Sequence, residues 1–217
     1  MSYIVLKDVT KVLKKNEVLS HISLSLEKGK IYGFYGRNAS GKTMLFRAIA
    51  GLITLSSGQV TVDDLVIGKD CEFPLSLGLV IENTALWNEL NGFENLKRLA
   101  AIQNKINNEQ IRNTLLAVGL DPNDKRKYHK YSLGMKQKLA IAQAVMEKPD
   151  LIILDEPTNS LDEASVKQLK ELIKAEQERG ATILISSHIY DDLKELCHTI
   201  FKMENGCIID REDGNGV

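Results

Sequence analysis

Apolar and polar positions alternate from Tyr3 to Val9 and again from Ile22 to Leu26, with β-branched side chains among the apolar ones. A period of two predicts half-buried strands and a β-rich start to the chain. Lys30 to Tyr35 predicts another strand, running into a glycine-containing loop and then a helix from Lys42 to Ala50 that Gly51 closes. Turn signals at Ser56-Ser57-Gly58 and Asp63-Asp64 bracket a short strand, Gln59 to Val62. Beyond Glu82, helix formers dominate to about Lys148, with Leu96, Leu99, Ala100, Gln103 and then Ile111, Leu115, Leu116 at helical spacing. Pro149 ends that stretch. Leu151 to Leu154 is an apolar run of the kind a strand buried on both faces carries, and Ala181 to Ser186 is a second. Between them Leu161 to Arg179 predicts an amphipathic helix stopped by Gly180. Tyr190 to Cys197 predicts a short helix, and Asp213 to Val217 a frayed tail. Strand and helix in alternation mean an α/β fold with a parallel sheet and crossover helices. We expect a single domain over residues 1–217, its core drawn from about 1–82 and 149–210 and a helical subdomain from about 83–148.

Composition narrows the function classes. The chain has 217 residues, 43% hydrophobic and 26% charged, which suits one well-buried domain rather than a disordered or fibrous chain. With 28 basic against 29 acidic residues it has no global field for nucleic acid or an anionic membrane, and no nucleic-acid partner is expected. The longest apolar runs fall far short of the ~18 residues of a spanning helix, and the N-terminus lacks the flank of a secretory signal, so a cytoplasmic location is expected. Cys71, Cys197 and Cys207 are widely spaced and never in a C-x-x-C pair, reading as reduced structural thiols. His21, His129 and His198 read as surface or helix-end residues, and Lys125 to Lys130 as a solvated basic face.

Candidate chemistry begins at Gly36-Arg37-Asn38-Ala39-Ser40-Gly41-Lys42-Thr43. The stretch fits G-x-x-x-x-G-K-[ST] and lies between a predicted strand and a predicted helix, the context that confirms a phosphate-binding loop. Glycines let the backbone approach phosphate oxygens, successive N–H groups and the helix N-terminus face the negative charge, Lys42 reaches the β- and γ-phosphates, and the Thr43 hydroxyl ligates Mg²⁺. Asp155 and Glu156 close a buried strand at its C-terminal edge, where parallel sheets place ligand sites. Beside such a loop, Asp155 would hold the Mg²⁺ shell and Glu156 would polarise the attacking water as general base.

Tyr131-Ser132-Leu133-Gly134-Met135-Lys136-Gln137 then resembles the signature motif of ABC-type ATPases. Asp155-Glu156, a stretch Asn159-Ser160-Leu161-Asp162 similar to the D-loop, and Ser187-His188, similar to the switch histidine, follow in the family's order. Ile4 to Leu26 resembles the family's N-terminal strands and Gly78 to Glu82 its Q-loop strand, so the likeness covers nearly the whole chain. It implies the P-loop NTPase fold of the ABC ATPases: a mainly parallel core sheet, an N-terminal antiparallel β-subdomain and an inserted α-helical subdomain. It also implies ATP and Mg²⁺ as ligands, with Glu156 and His188 catalytic. Gly36 to Thr43, Met44 and Leu13 would bind the nucleotide, and Thr43, Glu82 and Asp155 the metal. Ser132, Leu133, Gly134 and Met135 would complete the site of a second cassette, so that two chains close head to tail around two nucleotides. Ser160, Leu161 and Asp162 would form the D-loop.

The sequence departs from the family pattern at several of these positions. Leu13 stands where an aromatic ring stacks on adenine, which forfeits about 0.5–1.5 kcal/mol of ring stacking. Leu133 replaces a signature glycine, Met135 a glutamine, Met44 a hydroxyl residue and Glu82 the Q-loop glutamine. By the resemblance, a chain of this length is a short exporter-type subunit that works on a separate integral membrane permease, peripheral to the inner face of the cell membrane. Leu86, Trp87, Leu90 and Phe93 are candidates for that docking surface, with the subdomain's own core as the other place for Trp87. A poorly hydrolysing, nucleotide-gated partner cassette, a soluble ATPase acting on DNA or ribosomes, and a P-loop kinase are the other readings.

Overall fold

The computed structural model describes residues 2–82 and 86–214. A four-stranded antiparallel sheet in the order β2-β1-β4-β5 is built from β1 (Ser2–Leu13), β2 (Asn16–Glu27), β4 (Ser57–Val62) and β5 (Leu65–Val66). A six-stranded sheet runs in the order β10-β9-β3-β8-β7-β6. Its members are β3 (Ile31–Tyr35), β6 (Leu77–Val80), β7 (Leu151–Leu154), β8 (Thr182–Ser187), β9 (Thr199–Glu204) and β10 (Cys207–Asp213). All its pairings are parallel except the β9–β10 hairpin at one edge. Helix α1 (Lys42–Ile49) follows β3. Helices α2 (Gly92–Gln103), α3 (Asn108–Ala117) and α4 (Leu133–Val145) fall between β6 and β7, and α5 (Glu163–Glu178) and α6 (Tyr190–Lys194) flank β8.

The large sheet is apolar on both faces, as its continuous apolar strands require. Leu151, Ile153, Tyr32, Phe34 and Leu184 pack with α1 and the small sheet, through Leu45, Phe46, Ile4 and Val60 among others. The intervening positions Ile152, Leu154, Ile183 and Ile185 pack on the other face with α4, α5 and α6. Alternation along each strand therefore joins two cores through one sheet. Between β6 and β7 the inserted helices are fixed by sharp starts: Asn91 and Asn107 each form a reciprocal capping box with Glu94 and Gln110.

Several boundaries differ from the sequence expectation. The first hairpin is far longer than the two predicted stretches, its tip formed by Lys14 and Lys15 at φ 47° and 73°. The β9–β10 hairpin was not expected. Asp213 ends β10 and Gly214 N–H donates to His198 O, so these two are held rather than frayed, while residues 215–217 lie outside the described part. Helix α5 begins after Asp162, whose carboxylate accepts the Ser165 N–H at 2.8 Å and caps it. His198 is half-buried rather than a surface group: its Nδ1 accepts the Ile31 N–H at 3.2 Å at the start of β3. The three cysteines are free thiols, Cys197 fully buried.

Candidate functional site

The C-terminal ends of β3, β7 and β8 lie side by side, so the segments leaving them converge on one edge of the sheet. From β3 comes the loop Gly36 to Gly41. Two glycines there are structural necessities. A Cβ on Gly36 would stand 2.4 Å from Met203 O and 2.7 Å from Ser40 Oγ, and Gly41 carries φ 109° at the N-terminus of α1. The β9–β10 turn closes the loop from behind, Gly206 N–H donating to Ser40 O at 2.9 Å. A cavity of about 520 Å³ results, walled by Glu17, Val18, Asn38 to Met44, Glu156, Asn205 and Gly206. A second, of about 650 Å³, lies across the same loop beside Tyr35, Arg37, Lys202 and Glu204.

Lys42 is 5% exposed and its ammonium donates to Gly36 O at 2.6 Å and Arg37 O at 3.2 Å, which compensates the burial of its charge. Thr43 Oγ1 donates to Asp155 Oδ2 at 2.6 Å. Ser186 Oγ donates to the other oxygen, Asp155 Oδ1, at 2.5 Å and accepts the Glu156 N–H at 2.8 Å. Glu156 sits at φ 49°, a left-handed conformation uncommon for a residue with a side chain. Its Oε2 receives His188 Nδ1 at 2.7 Å and the His188 backbone N–H at 3.3 Å. An ionised carboxylate only accepts, so Nδ1 carries the proton in this contact. Oε1 of Glu156 is buried and ion-paired with Lys42 Nζ at 3.3 Å; among the described residues it has no hydrogen-bond partner, and neither has the buried hydroxyl of Ser40.

The structure thus brings Gly36 to Met44, Asp155, Glu156 and His188 together. Leu13 stands outside that wall, 41% exposed at the hairpin tip. Glu82 pairs with Arg47 of α1, its Oε1 3.0 Å from Nη2, rather than with Thr43 or Asp155. Ser132 accepts the Met135 N–H at 3.2 Å as the N-cap of α4. Leu133 beside it is 63% exposed, an open position for an apolar side chain. Gly134 lies against the loop after Glu156: a Cβ there would stand 2.8 Å from Ser160 O. Gln137 Nε2 donates to Pro157 O at 3.2 Å in the same contact. Ser186, Asn205 and Gly206 escaped sequence reasoning. A serine near the end of an apolar strand carries no motif, although its hydroxyl in a buried run was a signal that something polar must meet it.

The donor set suits Mg²⁺. A hydroxyl and a carboxylate oxygen meet at 2.6 Å, hard oxygen ligands of the kind Mg²⁺ takes alongside phosphates. The loop at the N-terminus of α1, with the Lys42 ammonium in the cavity it walls, fits a phosphate chain in the same place.

Comparison with known proteins agrees with this geometry. The family model described as ABC transporter matches residues 19–159. The ABC transporter ATP-binding protein YybJ of Bacillus subtilis is 45% identical over 92% of this chain and 91% of its own length. The bacitracin transport ATP-binding protein BcrA of Bacillus licheniformis is 36% identical over 94% of this chain and 67% of its own. A solved dimer of the ATP-binding cassette MJ0796 bound to ADP and Pi superposes with a TM-score of 0.88 at 22% identity, over 99% of this chain and all of that one. A large parallel sheet bearing a small antiparallel sheet and a helical insertion is the ABC ATPase fold. The chain belongs to the ABC transporter family as an ATP-binding, ATP-hydrolysing subunit.

Proposed function

We propose that two such cassettes close head to tail around two molecules of Mg²⁺–ATP, and that hydrolysis drives export through a separate integral membrane permease, to which the chain docks at the inner face of the membrane. The observation that carries the catalytic part is Glu156, held at the phosphate loop by His188 through one oxygen and ion-paired with the Lys42 ammonium through the other. Mg²⁺, held by Thr43 and Asp155, would neutralise charge on the phosphate oxygens. Lys42 reaches the same oxygens. Glu156 accepts the proton of the attacking water, and His188, donating from Nδ1, keeps that carboxylate turned toward it.

The dimer is supported by the signature segment. Ser132 and the start of α4 are not among the residues that wall this chain's own cavity. Leu133 next to it is exposed, as a surface for a second cassette would be. Export is supported by relatives at 33–36% identity named for lantibiotic and bacitracin transport. Among the described residues no helix is long and apolar enough to cross a membrane. Trp87 is 42% exposed, with the Arg98 guanidinium 5.3 Å over its ring, and offers an anchor for that subunit. Phosphate release from ATP by the purified chain tests hydrolysis: release that needs Mg²⁺ and disappears in Lys42→Ala supports it, and release indifferent to both contradicts it.

A further inference from the structure

We propose that Ser186 is a positioning residue for both catalytic-edge carboxylates, an inference that rests on the hydrolytic reading above. Ser186 is fully buried, at the point where β8 lies between β3 and β7. Leu154 is in register with Ile185, so Asp155, the first residue past β7, comes beside Ser186, which β8 still holds in register with Phe34 of β3. The hydroxyl uses both of its capacities there. Its proton goes to Asp155 Oδ1 at 2.5 Å and its lone pair takes the Glu156 N–H at 2.8 Å.

Two consequences follow from that division. Asp155 has one oxygen on Ser186 and the other on Thr43, so its plane is fixed and Oδ2 faces the loop that cradles phosphate. Charge-assisted bonds of this sort are about twice as strong as neutral ones and orient the acceptor. Glu156 gains from the other bond. Its φ of 49° must be held by its surroundings, and a buried acceptor for its N–H does so while leaving its carboxylate to His188 and Lys42. One hydroxyl therefore sets the metal-facing oxygen and the general base together, through its bonds to Asp155 and Glu156.

The test compares Ser186→Ala with Ser186→Thr, which keeps the hydroxyl. Groups that orient a ligand from behind commonly carry about 10–100-fold in activity or metal affinity. We expect Ser186→Ala to lower kcat by that range with KM for ATP nearly unchanged, and Ser186→Thr to recover most of the loss. A second reading needs no turnover: Mn²⁺ affinity, followed by electron paramagnetic resonance with a non-hydrolysable ATP analogue, should fall about tenfold in Ser186→Ala and not in Ser186→Thr. Should the alanine chain not fold, Ser186→Cys carries the same comparison. Wild-type kcat and Mn²⁺ affinity in Ser186→Ala, or equal losses in the alanine and threonine chains, would overturn the proposal. Absence of phosphate release by the wild-type chain would instead overturn the hydrolytic reading, and the Mn²⁺ measurement would still decide the place of Ser186.

Discussion

Thr43 Oγ1 and Asp155 Oδ2 stand 2.6 Å apart, which ties the first turn of α1 to the end of β7 across a sequence separation of 112 residues. The bond joins the two oxygens proposed to hold Mg²⁺, and the hydroxyl is its donor. Replacing Thr43 with Val keeps the shape and removes that oxygen. The Mg²⁺ concentration for half-maximal phosphate release should rise about tenfold, with the fold unchanged by circular dichroism. An unaltered Mg²⁺ requirement would mean that Thr43 is no ligand.

Gly134 meets Ser160 where the signature helix approaches the loop after Glu156. A Cβ only 2.8 Å from the Ser160 carbonyl forces backbone to move, at a cost of roughly 1–3 kcal/mol. Gly134→Ala should lower thermal stability accordingly and weaken ATP-dependent pairing of cassettes. Binding of ATP to the monomer, read by calorimetry, should persist, because Gly134 is not part of the cavity wall.

Burial, and then the charge of Lys30, hold the His198 imidazole below its ordinary pKa, and its Nδ1 already accepts the Ile31 N–H. The unfolded chain therefore takes a proton that the folded chain resists. Stability contributed by the neutral ring is full above the unfolded value of about 6.5 and is lost as pH falls toward the lower folded value. Urea unfolding at pH 7.5 and pH 5 should show that loss in the wild type and a smaller one in His198→Gln. Equal losses would remove His198 from the account.

Trp87 N–H is fixed on Asn95 Oδ1 at 2.9 Å while the ring stays open to solvent under Arg98. Trp87→Ala should reduce recovery of a co-expressed membrane subunit several-fold, on the pattern of aromatic interface anchors, and leave ATP affinity as it was. Parallel loss of both would assign the ring to the helical core instead.

How much of this was legible in the sequence follows from what determines each residue. Gly36 to Thr43 fit one phosphate-binding pattern, and the structure places the glycines where a side chain cannot fit. The strands at Leu151 and Thr182 are buried on both faces and announce themselves as apolar runs. By contrast β10 reads Cys207 to Asp213 with four of its last positions charged. It is a strand only because β9 offers an edge to pair with, and exposed charges suit an edge. The tip of the first hairpin escaped for the same reason, since Lys11 to Glu17 is solvent-facing and carries no apolar alternation. The resemblance alone puts Glu82 at the metal, as the counterpart of the Q-loop glutamine; in the structure it pairs with Arg47, a residue of another element. Ser186 has its meaning only through Asp155 and Glu156, residues that the fold brings beside it.

The central claim is that Glu156 acts on water while the nucleotide is shared between two cassettes. Light scattering on Glu156→Gln, with and without ATP and Mg²⁺, tests it most directly. The account predicts a monomer without nucleotide and a stable dimer with it, because the amide keeps the site's shape but cannot accept the proton. A Glu156→Gln chain that binds ATP, releases phosphate at the wild-type rate and stays monomeric would contradict it.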